Sequence, residues 1–330
     1  LARCEGVPHL RTKEGLVKIH PVDLVRAGMG SFDPIPFLVE GMRNMEDRQR
    51  TIASTVGLSG VGLHLGEENH VQISPGVPNQ GIVFHSMHGT NTLEILPACA
   101  GNTSSGVLRT VLGKGRTRIE TIEHVLAAMV GVGIDNAVIR VWGNEIPIMD
   151  GSALAWTDLI QAAGLVEQDV ARRKMVITKE IVVGSHDSWC SMRPSSDGSF
   201  TLRYDISYPH PLIGHQRIAL RLTRDSFLGD LAASRTFGFM GDFERIRSLG
   251  LAKGASMENV LVFDEDGIVG SNALRWPNEP IRHKMVDAIG DLALLGHHVI
   301  GTFTGYRSGH DLNGQLVNQL LDAQQAWCLV

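Results

Sequence analysis

An α+β fold in two units is what the order of elements predicts for this chain. Three observations point there. Strand-like segments precede helix-like segments in each half, so the two types are grouped and do not alternate regularly. The length, 330 residues, exceeds a single typical core. Midway along, residues 167–174 are polar and charged, as a linker would be.

Each element follows from its local pattern. Residues 51–58 and 71–74 read as strands joined by the glycine-rich region 60–66, and 81–84 as another strand. The glycines of 57–66 fit neither a Walker nor a dinucleotide pattern, so they read as a turn and not as a phosphate cradle. Ile122, Val125, Leu126 and Met129 recur at helical spacing. Thr121 is placed to cap that helix, which would leave Glu123 and His124 off the apolar stripe at an accessible end. Residues 137–142 form an apolar strand, and Asp150-Gly151 marks a turn before a helix over 153–163.

Beyond the charged stretch, 175–183 and 199–206 read as strands, 208–215 as a loop rich in Pro and His, and 226–233 as a helix. A short helix over 243–249 and a strand over 260–263 follow. Pro280 suits the first position of the next helix, whose core stripe is Ile281, Met285, Ile289, Leu292 and Ala293. Residues 299–306 read as a strand. The loop Arg307-Ser308-Gly309-His310 then leads to a helix from about Leu312, placing His310 where functional side chains are common.

Composition narrows the class. The chain is 43% hydrophobic and 20% charged, ordinary for a globular protein. A net charge of -5 without a long basic run argues against nucleic acid as a partner. No apolar stretch is long enough to span a bilayer, and no signal-peptide pattern is found. Cys4, Cys99, Cys190 and Cys328 are scattered without a Cys-x-x-Cys pair, which suits reduced thiols in a cytoplasm. A cytoplasmic monomer is expected.

The run His283-Lys284-Met285-Val286-Asp287-Ala288-Ile289-Gly290-Asp291 carries the sharpest chemical signal. His283 and Asp287 stand one helical turn apart, close enough to hold one metal ion together. Asp291 lies roughly 12 Å along the axis from His283, which makes it a better partner for another side chain than a third ligand. By contrast, the adjacent pair His297-His298 points in two directions and reads as structural. Glu120 reads as a carboxylate favouring the positive end of the helix that follows.

Taken together, these stretches resemble the UDP-3-O-acyl-N-acetylglucosamine deacetylase family. The matching segments are Gly60-Val61-Gly62-Leu63-His64, Thr121-Ile122-Glu123-His124, Gly133-Ile134-Asp135-Asn136 and the run from Glu145 to Ser152. They continue with Ser234-Arg235-Thr236-Phe237-Gly238-Phe239, Arg282 through Asp287, and Ser308-Gly309-His310. Seven in family order are specific where any one is weak.

The resemblance implies two β-α-α-β domains packed as a layered sandwich, with helices between two sheets. It divides the chain into a first domain at 48–168 and a second at 169–330, with an acyl-passage insert at about 241–269. Residues 1–47 stand outside the match as an extension expected to be dispensable, and Met45 would be a natural start for the matched part. No fused domain is expected after the last helix.

By the same resemblance, His124, His283 and Asp287 hold Zn²⁺, a nitrogen and oxygen set that leaves room for water. Glu123, beside a ligand, is the general base. His310 is the acid, Asp291 orients it, and Thr236 offers a hydroxyl to the oxyanion. The implied substrate is an acylated UDP-sugar, met by His64, Lys284, Phe237 and Arg193, the last standing where Lys is frequent. Leu108-Arg109-Thr110 departs from the family in its middle residue, which would alter contacts beside the acyl entrance. Ile246, Leu249, Met257 and Val260 are candidates to line that passage. A non-haem iron oxygenase, which also uses two histidines and a carboxylate, and a metal-free scaffold are the competing readings.

Overall fold

Two sheets and the helices between them account for most of the computed structural model, which describes residues 47–104, 106–114, 117–270 and 273–330. The expectations for residues 1–46 lie outside the described residues. The first sheet has five strands in the spatial order Val56–Val61, Glu68–Pro75, Ala137–Trp142, Ile82–His88 and Asn91–Pro97. Ala137–Trp142 pairs antiparallel to Glu68–Pro75 and parallel to Ile82–His88. Ala137, Ile139 and Val141 are fully buried toward the core, while Arg140 and Trp142 on the opposite face are half-buried.

The second sheet has seven strands, and His298–Tyr306 is its pivot. That strand lies antiparallel to Trp189–Arg193 and parallel to both Phe200–Ser207 and Lys174–Ile177. Its final residues lead into Ser308 and His310. Helix Leu154–Ala162 rests on strand Val56–Val61 of the first sheet, while helices Glu279–Leu292 and His310–Asp322 rest on strands of the second. Helix Glu123–Val132 crosses Glu279–Leu292 in the middle layer. The mixed α+β class is as the element order predicts, and the layered arrangement is as the family resemblance implies.

Two glycines let that layer close. A Cβ on Gly290 would sit 2.1 Å from the Glu123 carbonyl oxygen, and one on Gly131 would sit 2.1 Å from the Phe227 ring. Gly290 thus lets the two central helices approach backbone to side, directly between Asp287 and Asp291. The core then fills with Val125, Leu126, Met129, Ile281, Met285 and Ile289, all buried.

Several local expectations change. Residues 51–58 are not one strand: Arg48–Ile52 pairs with Leu165–Ala171, Val56–Val61 pairs with Glu68–Pro75, and Ala53 and Ser54 break the run by bonding to the carbonyls of Gly164 and Ala163. The stretch 167–174 is not a linker. It supplies most of Leu165–Ala171 and the start of Lys174–Ile177. Its charges sit on the outward side of a ribbon, where Glu167 pairs with Arg50 and Asp169 with Arg48. Residues 175–183 split at Thr178 to Glu180 into two strands. The strands Asn91–Pro97, Val111–Lys114, Thr117–Glu120 and His215–Arg221 were not anticipated. Asn91–Pro97 is exposed at every position but Leu96, so no alternation of core-facing residues marks it.

Candidate active site

Helix Glu123–Val132 begins at the site, but Thr121 does not cap it. Thr121 has φ 60°, and its hydroxyl donates to Glu145 Oε1 at 2.9 Å. The helix starts with Glu123 after an uncapped Ile122. Neither Glu123 nor His124 is at an accessible end, since both are buried under the neighbouring helix. Glu145 also accepts the backbone N–H groups of His64 and Leu65 at 2.8 Å. One carboxylate therefore ties the His64 loop to the first turn of this helix.

His124, His283 and Asp287 converge across the crossing of the two central helices. Their ligand atoms lie within 4.8 Å of one another, and all three residues are buried. Asp287 Oδ1 is 3.3 Å from His283 Nε2 and 3.6 Å from His124 Nε2. His283 Nδ1 donates to the Ser234 carbonyl at 3.0 Å, which turns the Nε2 lone pair toward the cluster. Burial pushes the His283 imidazole down to about 4, so it stays neutral and available as a ligand. Burial alone would raise the Asp287 carboxyl, but the surrounding His283, His124, His310 and Lys284 hold it well below the usual range. A neutral-nitrogen, anionic-oxygen triad of this kind is a fit for a metal cation.

Two further groups flank the triad. Glu123 receives the Thr110 backbone N–H at its Oε2, 3.1 Å away, and its Oε1 stands 3.9 Å from His310 Nε2. Burial raises the Glu123 carboxyl above its ordinary range, outweighing the pull of His310 and His124. His310 Nδ1 donates to Asp291 Oδ2 at 2.9 Å, and its Nε2 lies 3.9 Å from Asp287 Oδ2. Burial would lower this imidazole, but Asp291, Asp287 and Glu123 together raise it to about 10. His310 is the first residue of its helix after Gly309, slightly earlier than the expected start. Asp291 is also held by Asn313 Nδ2 at 2.8 Å, so it serves His310 and not the triad.

A buried triad able to hold a metal ion is thus flanked by a carboxyl of raised proton affinity and by an imidazole whose proton affinity is also raised. A family model described as UDP-3-O-acyl N-acetylglycosamine deacetylase matches residues 49–322. The chain belongs to that deacetylase family. It is 41% identical over 285 residues to the UDP-3-O-acyl-N-acetylglucosamine deacetylase of Pseudomonas entomophila, covering 86% of this chain and 93% of the relative. The like-named protein of Thioalkalivibrio sulfidiphilus is 41% identical over 282 residues, covering 85% and 92%. That of Syntrophus aciditrophicus is 38% identical over 279 residues, covering 84% and 88%. Like its family, this chain is an enzyme, and among the described residues no helix is long and apolar enough to cross a membrane.

Other residues singled out in this deacetylase fall nearer or farther from the triad. Lys284 Nζ is 3.9 Å from Asp287 Oδ2, and its charge is held despite burial by Tyr204 and Asp287. His64 is buried, and desolvation together with Arg109, His310 and His124 lowers it to about 3. Thr236 follows Ser234 and Arg235, which Glu279 clamps through Arg235. Its own N–H donates to Gly151 O at 2.7 Å. Phe237 packs edge-on against Tyr208 and Phe263, in an aromatic group with Phe239.

Arg193 is not brought to the triad. It pairs in register with Thr302, roughly 13 Å along the strand from Tyr306, and its Nε lies 3.7 Å from Glu180 Oε1. Arg109 turns inward to Glu120 Oε2 at 2.6 Å and to the Val107 carbonyl. Glu120 accordingly belongs to a strand and a buried ion pair, not to the helix end. His298 pairs with Asp135 at 3.1 Å, a structural role as read from sequence. Sequence reasoning missed Thr110, Glu145 and Asn313 because no local pattern marks a residue whose partners lie in other elements.

Proposed function

We propose that this enzyme removes the N-acetyl group from UDP-3-O-acyl-N-acetylglucosamine, giving the free 2-amine and acetate, with one Zn²⁺ held by His124, His283 and Asp287. The observation that carries the reading is the triad flanked by Glu123 and His310. Zinc bonds of about 2.0–2.2 Å in a tetrahedron need donors about 3.3–3.6 Å apart. The two separations from Asp287, 3.3 and 3.6 Å, lie in that range, and all three ligand atoms fall within 4.8 Å of one another. When bound, the ion supplies Lewis acidity that polarises an amide carbonyl and acidifies water.

The chain's own residues carry the protons. Glu123 accepts a proton from the attacking water at Oε1, its Oε2 being engaged by Thr110. The C–N bond then breaks as His310 delivers its Nε2 proton to the departing nitrogen, and Asp291 keeps that ring oriented through Nδ1. Lys284, His64 and the Thr236 hydroxyl take up the polar parts of the substrate and the developing oxyanion. Phe237 and the aromatic group beside it offer an apolar surface.

The segment 241–269 is proposed as the wall of an acyl passage. Leu249 and Met257 are exposed, while Ile246 and Val260 are half-buried, so these side chains are not consumed in filling a core. Each methylene of a fatty chain buried on them contributes about 0.8 kcal/mol.

The test joins metal analysis of the purified protein to acetate release from the acylated UDP-sugar. One equivalent of zinc and acetate release that a chelator abolishes are expected. Iron in the site, or no acetate from the zinc-loaded protein, overturns the proposal. Comparing kcat/KM with and without the acyl chain tests the passage, and an unchanged value removes it.

A further inference from the structure

We propose that Thr110 is a positioning residue that sets the geometry between the proton-accepting and proton-donating groups, acting on both through its backbone and its hydroxyl. This rests on reading Glu123 as base and His310 as acid.

Thr110 is engaged at every polar atom. Its N–H donates to Glu123 Oε2 at 3.1 Å. Its carbonyl accepts from Thr121 N at 3.0 Å and Ile122 N at 3.5 Å, the two residues immediately before helix Glu123–Val132. Its hydroxyl lies 2.5 Å from Asp291 Oδ1 and 3.2 Å from His310 Nδ1. An ionised carboxylate only accepts, so the hydroxyl proton points to Asp291. The Nδ1 proton of His310 goes to the same carboxylate, on Oδ2.

Two consequences follow from this arrangement. First, Glu123 has one oxygen tied to Thr110, which leaves Oε1 as the free oxygen facing the His310 side. Second, Asp291 is fixed from two directions: Thr110 donates to Oδ1 and Asn313 donates to Oδ2 at 2.8 Å. A carboxylate held at both oxygens cannot swing about its terminal torsion, so the imidazole hydrogen-bonded to it keeps its plane. Removing the hydroxyl leaves Oδ1 with only the longer 3.2 Å approach of His310 Nδ1. The ring is then free to follow Asp291. Misplacement on the scale of 1 Å costs roughly 100-fold in rate.

Thr110→Val keeps the shape and removes the hydroxyl, while Thr110→Ser keeps the hydroxyl and removes the methyl. In the zinc-loaded enzyme, Thr110→Val is expected to lower kcat by about 10- to 100-fold with KM and metal content unchanged. Thr110→Ser should recover most of that loss. In an Asp291→Asn background, Thr110→Val should add little, because both changes act through one contact. The Nδ1–H proton resonance of His310 gives a readout independent of turnover: it should shift in Thr110→Val and return in Thr110→Ser. If Thr110→Val does not fold, Thr110→Ala takes its place in the same comparisons.

Wild-type kcat in the Val variant, equal loss in Val and Ser, or additive loss with Asp291→Asn each overturns the inference. Absence of acetate release from the wild-type enzyme would instead overturn the proposed function. An unshifted His310 resonance in the Val variant would still sink the positioning role in that case.

Discussion

Glu123 and Glu279 are alike on paper and opposite in surroundings. Each is the first residue of a helix, where a carboxylate favours the positive end, and each is buried. Glu279 accepts from Arg235 N, Arg235 Nε, Arg235 Nη2 and Arg275 N. Its oxygens are filled with donors, and the Arg235 guanidinium matches its charge. Glu123 has one backbone N–H from Thr110 and otherwise faces histidines, and burial raises its carboxyl. Burial alone does not mark a working carboxylate. What separates Glu123 from Glu279 is an incomplete set of donors beside a cluster able to hold a metal ion.

Five substitutions, one of them read through a pH series, break or sharpen that contrast. The largest effect is expected from His124→Ala, which should lose both metal and turnover, as read by metal content and acetate release. Metal retained at the wild-type level would remove His124 from the triad. Next is Glu123→Ala, expected to lower kcat by about 10²- to 10⁴-fold while metal stays bound and Tm changes little. Undiminished turnover would end the base assignment.

Glu279→Ala should do the reverse. It strands the Arg235 guanidinium and costs about 3–5 kcal/mol, seen as a fall in Tm on the order of 10 °C. Whatever enzyme remains folded should keep its pH profile. An unaltered Tm would show that the clamp is not structural. Gly290→Ala tests how closely the two helices must approach. Its methyl meets the Glu123 carbonyl, so a cost of about 1–3 kcal/mol and weakened metal binding are expected. Full metal affinity in this variant would show that the crossing can relax without moving the ligands.

The smallest and most graded effect is on pH. Glu123 must be ionised to accept a proton, so it sets the acidic limb of kcat/KM, which burial moves up and a cation on the triad moves down. His310 must be protonated to donate. Its folded-state value, raised to about 10, places the basic limb above 6.5 and no higher than about 10, because a cation neutralising Asp287 removes part of what raises it. The same shift stabilises the fold below pH 6.5, a contribution lost as pH climbs toward 10. A basic limb unmoved by His310→Gln would dismiss the acid assignment.

Much of the site was legible because helical spacing is local. His283 and Asp287 fall one turn apart whatever the rest of the chain does, and the core stripe behind them announces which side is buried. His310 was legible as a polar residue at a strand-to-helix junction. Residues 167–174 misled because a charged run on the outer side of a two-stranded ribbon looks like a solvated connection. The sequence neighbourhood of Arg193 says nothing of the register with Thr302 that fixes its distance from His310.

By itself the sequence determined which residues could be ligands, which faces of the helices had to be hidden, and the α+β class, since these depend on side-chain chemistry and short-range periodicity. The tertiary structure decided what those residues meet. Thr121 bonds Glu145 and does not cap a helix, Arg109 folds inward onto Glu120, and Thr110 reaches Asp291, 181 positions away. Such contacts arise where two helices cross at Gly290 and a strand ends beside them. No local pattern encodes that meeting, because its energy comes from packing between elements far apart in the chain.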